Sequence, residues 1–253
     1  MHQNLALINE IADLLNNARA NSKPASFEDC NWSELTVDDV YTIQSRVAAK
    51  TGAIGAWKTG RANDTETPIY APIFAEMVRS SPAEYRKQEL RACGVELEIG
   101  FSIDSPLPPQ GPEFENALRQ CVRPVVTLEL IDSRMQNFTE MPQAAKLADN
   151  LVNGGLVVGV PLDDWNDLRL EQAEVLLKAN GNEIFSGNSN VPGGDAFLTL
   201  ASMASVVRDH CGGLQPGQIV TTGTLSGCIF IEPGTQIEGR VAGLGSISFK
   251  YGI

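Results

Sequence analysis

The run Val95-Glu96-Leu97-Glu98-Ile99-Gly100-Phe101 sets two carboxylates one residue apart inside an otherwise apolar stretch. A strand alternates faces with a period of two. Glu96 and Glu98 therefore project from one face, and Val95, Leu97 and Ile99 from the other. A second run, Val125-Val126-Thr127-Leu128-Glu129-Leu130-Ile131, carries a lone glutamate in the same kind of setting. A Glu-x-Glu pair on a sheet is commonly a solvated stripe. The apolar flanks and the isolated Leu-Glu-Leu argue against that here, because an unpaired buried carboxylate is costly and usually protonates. Three carboxylates from two core strands ask for a cation, and an all-oxygen site suits Mg²⁺, Mn²⁺ or Ca²⁺ better than Zn²⁺.

The remainder of the chain bounds this reading. Its 253 residues, 43% hydrophobic and 20% charged, suffice for one full core with a small appendage. A net charge of −12 argues against nucleic acid or an anionic membrane as partner. No run of about 18 apolar residues exists to span a bilayer. The opening residues lack the basic and apolar segments of a signal peptide. Five scattered cysteines, with no Cys-x-x-Cys, read as free thiols in a reducing, cytoplasmic setting.

Residues 1–53 read as a helical N-terminal region, and 54–253 as a β-rich domain. Leu5, Leu7, Ile8, Ile11, Leu14 and Leu15 recur at helical spacing up to the polar stretch 16–26. Thr36 reads as an N-cap with Asp39 three residues on. The helix it opens carries Val40, Ile43 and Val47 and stops at Gly52. Short apolar runs at 54–60 and 68–74 follow. Strands are expected at 94–101, 123–131, 155–160, 173–178, 218–222, 228–231, 236–241 and 244–251, with helical patches at 142–151 and 195–208. The fold class is α+β.

The ordered motifs Glu96-x-Glu98, Glu129-Leu-Ile-Asp132-Ser-Arg134 and Ala148-Asp149-Asn150 resemble one branch of the fumarylacetoacetate hydrolase superfamily, that of the 2-keto-4-pentenoate hydratases and 4-oxalocrotonate decarboxylases. The segment 214–227, with Thr222-Gly223-Thr224, is similar to the superfamily's Gly-Asp-x-Ile-x-Thr-Gly-Thr-Pro-x-Gly, and 233–245 resembles its closing strands. The resemblance implies a small helical N-terminal region packed on a mixed β-sandwich-like roll, assembled as a homo-oligomer or a decarboxylase–hydratase complex. It implies Mg²⁺ or Mn²⁺ on Glu96, Glu98 and Glu129, and a small 2-oxo acid as substrate. The activity implied is that of a lyase in aromatic catabolism working through a metal-stabilised enolate. Hydration of a 2-hydroxypentadienoate comes first, decarboxylation of an oxalocrotonate second, and a non-catalytic metal-binding subunit is the remaining alternative.

Lys58, in Gly-Ala-Trp-Lys-Thr-Gly, reads from composition as a strand-edge lysine. The family's Gly-x-Lys-x-Gly makes it the candidate catalytic residue, with a pKa lowered by burial beside a metal. Thr222 and Thr224 are candidate substrate contacts, against a plain structural turn. Asp132 and Arg134 are expected to pair with each other. Asp149 and Asn150 read as supporting groups or helix contacts, His210 as a helix C-terminal cap, His2 as disordered, and Trp57, Trp165 and the cysteines as packing. Three departures matter. The family's acid in a Pro-Asp-Tyr-Gly-like segment is Ile69 here, an apolar wall of the substrate site; Leu225 replaces a proline; and Val191-Pro-Gly-Gly-Asp195-Ala differs before the long helix. No histidine lies between His2 and His210 to supply the His–Glu pair of the hydrolase branch.

Overall fold

Two β-sheets packed face to face carry Lys58, Ile69, Glu96, Glu98, Glu129, Thr222 and Thr224. The computed structural model describes residues 4–252, so His2 falls outside it. The larger sheet contains β1 (Ile54–Gly60), β2 (Ile69–Phe74), β3 (Val78–Ser80), β5 (Gly94–Ile103), β6 (Val122–Ile131), β7 (Asn153–Val158) and β10 (Ile219–Thr224). Its order is β2-β1-β10-β5-β6-β7-β3, with β11 (Ile229–Phe230) added beside β5. The smaller sheet runs β4-β13-β12-β8-β9, from β4 (Ala83–Tyr85), β13 (Gly245–Tyr251), β12 (Thr235–Val241), β8 (Gln172–Ala179) and β9 (Asn182–Asn190).

Period-two alternation decides which face does what. Val95, Leu97, Ile99 and Phe101 of β5 join Val126, Leu128 and Leu130 of β6 in one core with Leu177, Ile237, Ile247 and Phe249 of the second sheet. The approach is close: a Cβ on Gly239 would sit 2.9 Å from Leu97 Cδ1. The opposite face of the large sheet buries Ala56, Ile73, Val125, Leu156 and Ile219 together. Contact among residues of strands that are not neighbours means that this sheet curls on itself, as the expected roll requires.

The helices begin and end as their caps dictate. In α2 (Val37–Thr51) the Asp39 N–H donates to Thr36 Oγ1 at 3.2 Å, and the Thr36 N–H donates to Asp39 Oδ2 at 3.0 Å. Gly52 closes it at φ 146°, a backbone angle glycine adopts without Cβ strain. Helix α1 (Leu5–Ala20) outlasts the expected stop and buries Ile8, Ile11 and Leu15, whereas Leu5 is exposed. Both helices pack on Ala71 and Phe74 of β2 and on Leu147 of α4 (Gln143–Ala148). Four strands and α-helices have no counterpart in the sequence reading: the three-residue strands β3 and β4, helix α3 (Phe114–Arg119), and β9, whose Asn- and Ser-rich edge strand lacks apolar alternation. Helix α5 (Ala196–Val206) lies within the expected span.

One buried side chain ties these layers together. Gln44 of α2 is fully buried, and its Nε2 donates to Leu147 O at 2.6 Å and Tyr70 O at 3.3 Å. Its Oε1 must then accept, from His210 Nε2 at 2.9 Å, which fixes the imidazole proton on that nitrogen. His210 is thus a packed residue and not a helix cap. Its ring meets Tyr41 and Tyr70 edge-on at centroid distances of 5.2 and 5.6 Å, and burial pushes its pKa down to about 4. Gln44→Leu strands two carbonyls and an imidazole N–H. It is expected to cost about 2–4 kcal/mol in urea unfolding, while Lys50→Ala, which breaks an exposed pair with Asp13, stays within about 0.5 kcal/mol. Equal stability of the two variants would overturn this account of the helical layer.

Candidate metal centre

Strand order brings the expected site residues side by side. Lys58 of β1 pairs in register with Thr221 of β10, Thr224 of β10 with Glu98 of β5, and Glu96 of β5 directly with Glu129 of β6. Like charges directly opposite on one face destabilise a sheet, so that register calls for an explanation. Glu96, Glu98 and Glu129 each offer an oxygen within 4.8 Å of the others'. Glu98 and Glu129 are buried; Glu96 is partly exposed.

Each carboxylate has its own surroundings. Glu129 Oε1 lies 2.6 Å from Lys58 Nζ and accepts from Asn153 Nδ2 at 2.9 Å. Glu129 Oε2 is buried with no hydrogen-bond partner. Glu98 Oε2 accepts from the Thr221 hydroxyl and from the Gly223 N–H at 2.8 Å. Thr221 accepts in turn from Thr127 Oγ1 at 2.8 Å. Glu96 has no hydrogen-bond partner among the described residues. Burial, then the Glu129 charge, pushes the Glu96 carboxyl up to about 7, with Lys58 opposing. Burial, then Glu129 and Glu96, pushes Glu98 up to about 8 against Lys58 and Thr221. Burial alone would lower Lys58, but Glu129 and Glu96 hold it above the ordinary lysine value. In the ion-free site the three nearby carboxylates thus outweigh desolvation, whereas the lowering expected from the sequence concerns Lys58 beside a bound metal.

The donor set fits a hard divalent ion. It is all oxygen, it carries more negative charge than one lysine neutralises, and one buried oxygen lacks any partner. The carboxylates open on a cleft of about 290 Å³ lined by Lys58, Gly60, Ile69, Glu96, Glu98, Gly223 and Thr224, and also by Gln143, Lys146, Leu151 and Val152. Ile69 and Thr224 therefore line the same cleft as the carboxylates. Thr222 does not. It shares the face of Val220, is fully buried, and donates to Ile99 O at 2.8 Å. Thr221, which the sequence reading passed over, holds Glu98 instead. Gly223, at φ 116°, forms the irregularity in β10 that lets a backbone N–H reach the same oxygen.

The wall beyond Lys58 rests on a buried ion pair. Arg134 Nε lies 2.5 Å from Asp149 Oδ1, and Arg134 also donates to the carbonyls of Asn153 at 2.7 Å and Asp149 at 2.8 Å. The expected partner, Asp132, accepts instead from the N–H groups of Arg91 and Ala92, at 3.3 and 3.2 Å. Helix α4 ends at Ala148, and Asn150, Leu151 and Val152 then turn left-handed at φ 52°, 53° and 55°. That conformation costs roughly 1–2 kcal/mol per residue and is least tolerated by a β-branched side chain. It presents Leu151 O to Lys58 Nζ at 3.1 Å. No motif in the sequence marks such a reversal, although the Ala-Asp-Asn likeness lies beside it.

The curled mixed sheet thus brings together a carboxylate trio with the donor set for a divalent ion, one paired lysine and a small cleft. Residues 45–250 match the family described as fumarylacetoacetate (FAA) hydrolase C-terminal, and the chain belongs to that family. It is 23% identical to a 4-oxalocrotonate decarboxylase of Pseudomonas putida over 232 residues, covering 87% of this chain and 88% of that one. It is 22% identical to a 2-keto-4-pentenoate hydratase of Paraburkholderia xenovorans over 253 residues, covering 96% and 94%. A solved 4-oxalocrotonate decarboxylase from Pseudomonas putida G7, complexed with magnesium and adipate, shares the fold with TM-score 0.82 at 21% identity, over 99% of both chains. No helix among the described residues is long and apolar enough to cross a membrane.

The raised carboxyl pKa values set a sign for stability. Without a divalent ion, the folded chain keeps a proton on Glu96 up to about 7 and on Glu98 up to about 8, above the ordinary 4.5 at which the unfolded chain releases both. Ion-free stability therefore falls as pH rises through that window, and Mg²⁺ raises the melting temperature most near its upper end. Glu98→Gln is expected to raise the ion-free melting temperature at pH 8 and to abolish the Mg²⁺-induced rise. A variant that melts lower and still responds to Mg²⁺ would count against the trio as one centre.

Proposed function

We propose that the chain is a divalent-cation-dependent lyase acting on a 2-oxo (or 2-hydroxydienoic) acid, with Glu96, Glu98 and Glu129 as the cation's ligands. The observation that carries this is Glu129, with one oxygen fixed by Lys58 and Asn153 and the other buried without a partner in a cluster of three carboxylates. Magnesium in the solved decarboxylase supports Mg²⁺, with Mn²⁺ as the alternative. Bound there, the ion supplies a Lewis acid that draws electron density toward a keto oxygen.

The residues of the chain do the rest. Lys58, 2.6 Å from Glu129, is placed to orient the anionic head of the acid and to return a proton to carbon. Ile69, Leu151 and Val152 keep water from the middle of the cleft, and Thr224 offers a hydroxyl at its edge.

Among the two chemistries of the relatives, this lining favours carboxy-lyase over hydro-lyase action, the reverse of the order suggested by the motifs. Adding water needs a base to deprotonate it, yet the cleft has no imidazole and no carboxyl beyond the trio among its lining residues. Decarboxylation asks less. The bond from the chain to a terminal carboxylate breaks, its electron pair passes along the conjugated chain to the 2-oxo oxygen, CO₂ leaves, and a proton is taken up at carbon. Hydration remains the second reading, supported by the hydratase relatives that span nearly the whole chain.

The test follows the ultraviolet absorbance of 4-oxalocrotonate and 2-hydroxypentadienoate with Mg²⁺ or Mn²⁺. Loss of the first is expected, abolished by EDTA and slowed about 100-fold or more in Lys58→Met, a variant that still binds the ion. Ion binding with turnover of neither acid would discard the lyase reading and leave a non-catalytic subunit.

A further inference from the structure

A second cavity, of about 440 Å³, shares no residue with the lining of the metal cleft. Four arginines line it, Arg19, Arg86, Arg91 and Arg134, although the chain as a whole carries a net charge of −12. Three of the four have carboxylates. Arg134 pairs with Asp149 at 2.5 Å, and Arg91 Nη2 lies 3.6 Å from Asp132 Oδ1. Arg86 Nε lies 3.4 Å from Glu89 Oε2, on a carboxylate that Arg79 also holds.

Arg19 is the exception. Its side chain makes no hydrogen bond and no ion pair among the described residues, and its Nε is buried. A cation in the last turn of a helix ordinarily serves the free carbonyls of that turn. The Arg19 guanidinium instead lies over the ring of Phe74, 4.8 Å from its centroid. Stacking of this kind holds the group by its face and leaves its N–H edge open to a ligand. Arg46 Nε is orphaned too, but Arg46 is not among the residues of the cavity. Burial, then the Arg134 charge, pushes Arg19 down to about 9 against Asp149, Glu76 and Asp132. Glu76, the remaining carboxylate of the lining, is exposed and forms no ion pair among the described residues.

We infer that this cavity binds the carboxylate of a small organic acid, with Arg19 as its main partner and Arg134 beside it. One unmatched guanidinium calls for one negative charge, and its planar fork fits the two oxygens of a carboxylate. Arg134 commits three N–H groups, to Asp149 Oδ1, Asp149 O and Asn153 O, of the five that a guanidinium carries. Glu76, Glu89 and Asp132 share the lining and repel any further negative charge, which disfavours a phosphate dianion. Ala18 and Met77 supply apolar surface for a short carbon chain, and the volume suits a small ligand. The site stands whether or not the chain is a lyase. Arg134 nevertheless belongs both to this lining and to the buried pair behind the wall beyond Lys58.

The experiment titrates butyrate, and separately inorganic phosphate, into the ¹⁵N-labelled, Mg²⁺-loaded protein with ionic strength held constant by sodium chloride. The Nε–H resonances of Arg19 and Arg134 are followed. Butyrate is expected to shift both saturably, with a Kd of about 1–10 mM, and phosphate to bind more weakly. Arg19→Met should weaken butyrate binding about tenfold or more, read on Arg134, and Arg19→Lys, which loses the fork, about threefold or more. Glu76→Gln should tighten it about two- to threefold by removing a like charge. Glu98→Gln, which disables the metal centre, should leave it within about twofold. Melting curves check that each variant folds. No saturable shift, a shift on Arg134 that survives Arg19→Met, or tighter binding of phosphate than of butyrate overturns the inference. A shift lost in Glu98→Gln assigns the acid to the metal centre and overturns it as well.

Discussion

Three carboxylates and one ammonium share a largely buried corner of a sheet, and that imbalance constrains the rest of the molecule. Glu96 faces Glu129 across neighbouring strands, with Glu98 two residues along the same face. Lys58, Asn153 and Thr221 offset only part of that repulsion in the absence of a divalent ion. The stabilisation comes from the other side of the same strands, where Leu97, Ile99, Leu128 and Leu130 pack against the second sheet. Each of the two central strands is thus divided lengthwise: one face supplies burial, and the other holds charge that burial alone would expel. The division works because side chains alternate strictly, so a single slip in register would bury the carboxylates in the inter-sheet core.

A second set of polar groups defines the space in front of the trio. Gln44 joins α2 to the carbonyls of Tyr70 and Leu147, the residues next to Ile69 and Lys146 of the cleft lining. Arg134 and Asp149 do the same just past that C-terminal end of α4. Their pair holds the carbonyl of Asn153, whose amide holds Glu129, and it precedes the left-handed residues that bring Leu151 O to Lys58. A buried ion pair is weak evidence for stability, and three left-handed residues subtract from it. Their position beside the lysine gives both features a reason, since strain of this kind persists where the surroundings over-determine it.

Much of this was legible in the chain because it depends on local rules. The cap Thr36 with Asp39, the stop at Gly52 and the apolar partners of the glutamates follow from hydrogen-bonding and alternation over a few residues. Ile69 and Thr224 could be placed through the family likeness. What escaped reading depends on contacts across the fold. Thr221 and Thr222 are chemically the same residue, and only the pairing of β10 with β5 decides which hydroxyl faces Glu98. Asp132 and Asp149 are both near Arg134 in the fold, and only the turn after α4 selects Asp149. Asn153 carries no pattern at all, and β9 is polar because one of its edges is open.

Ile69 bears on the proposed chemistry in a way that neither the fold nor the trio dictates. In a decarboxylation the departing carboxylate gives up its charge as CO₂ forms, and that loss is easier where water cannot solvate the anion that is disappearing. An apolar side chain along the cleft, at the position where the family likeness expects an acid, would therefore remove a proton donor for water addition and favour the loss of CO₂ by the same substitution.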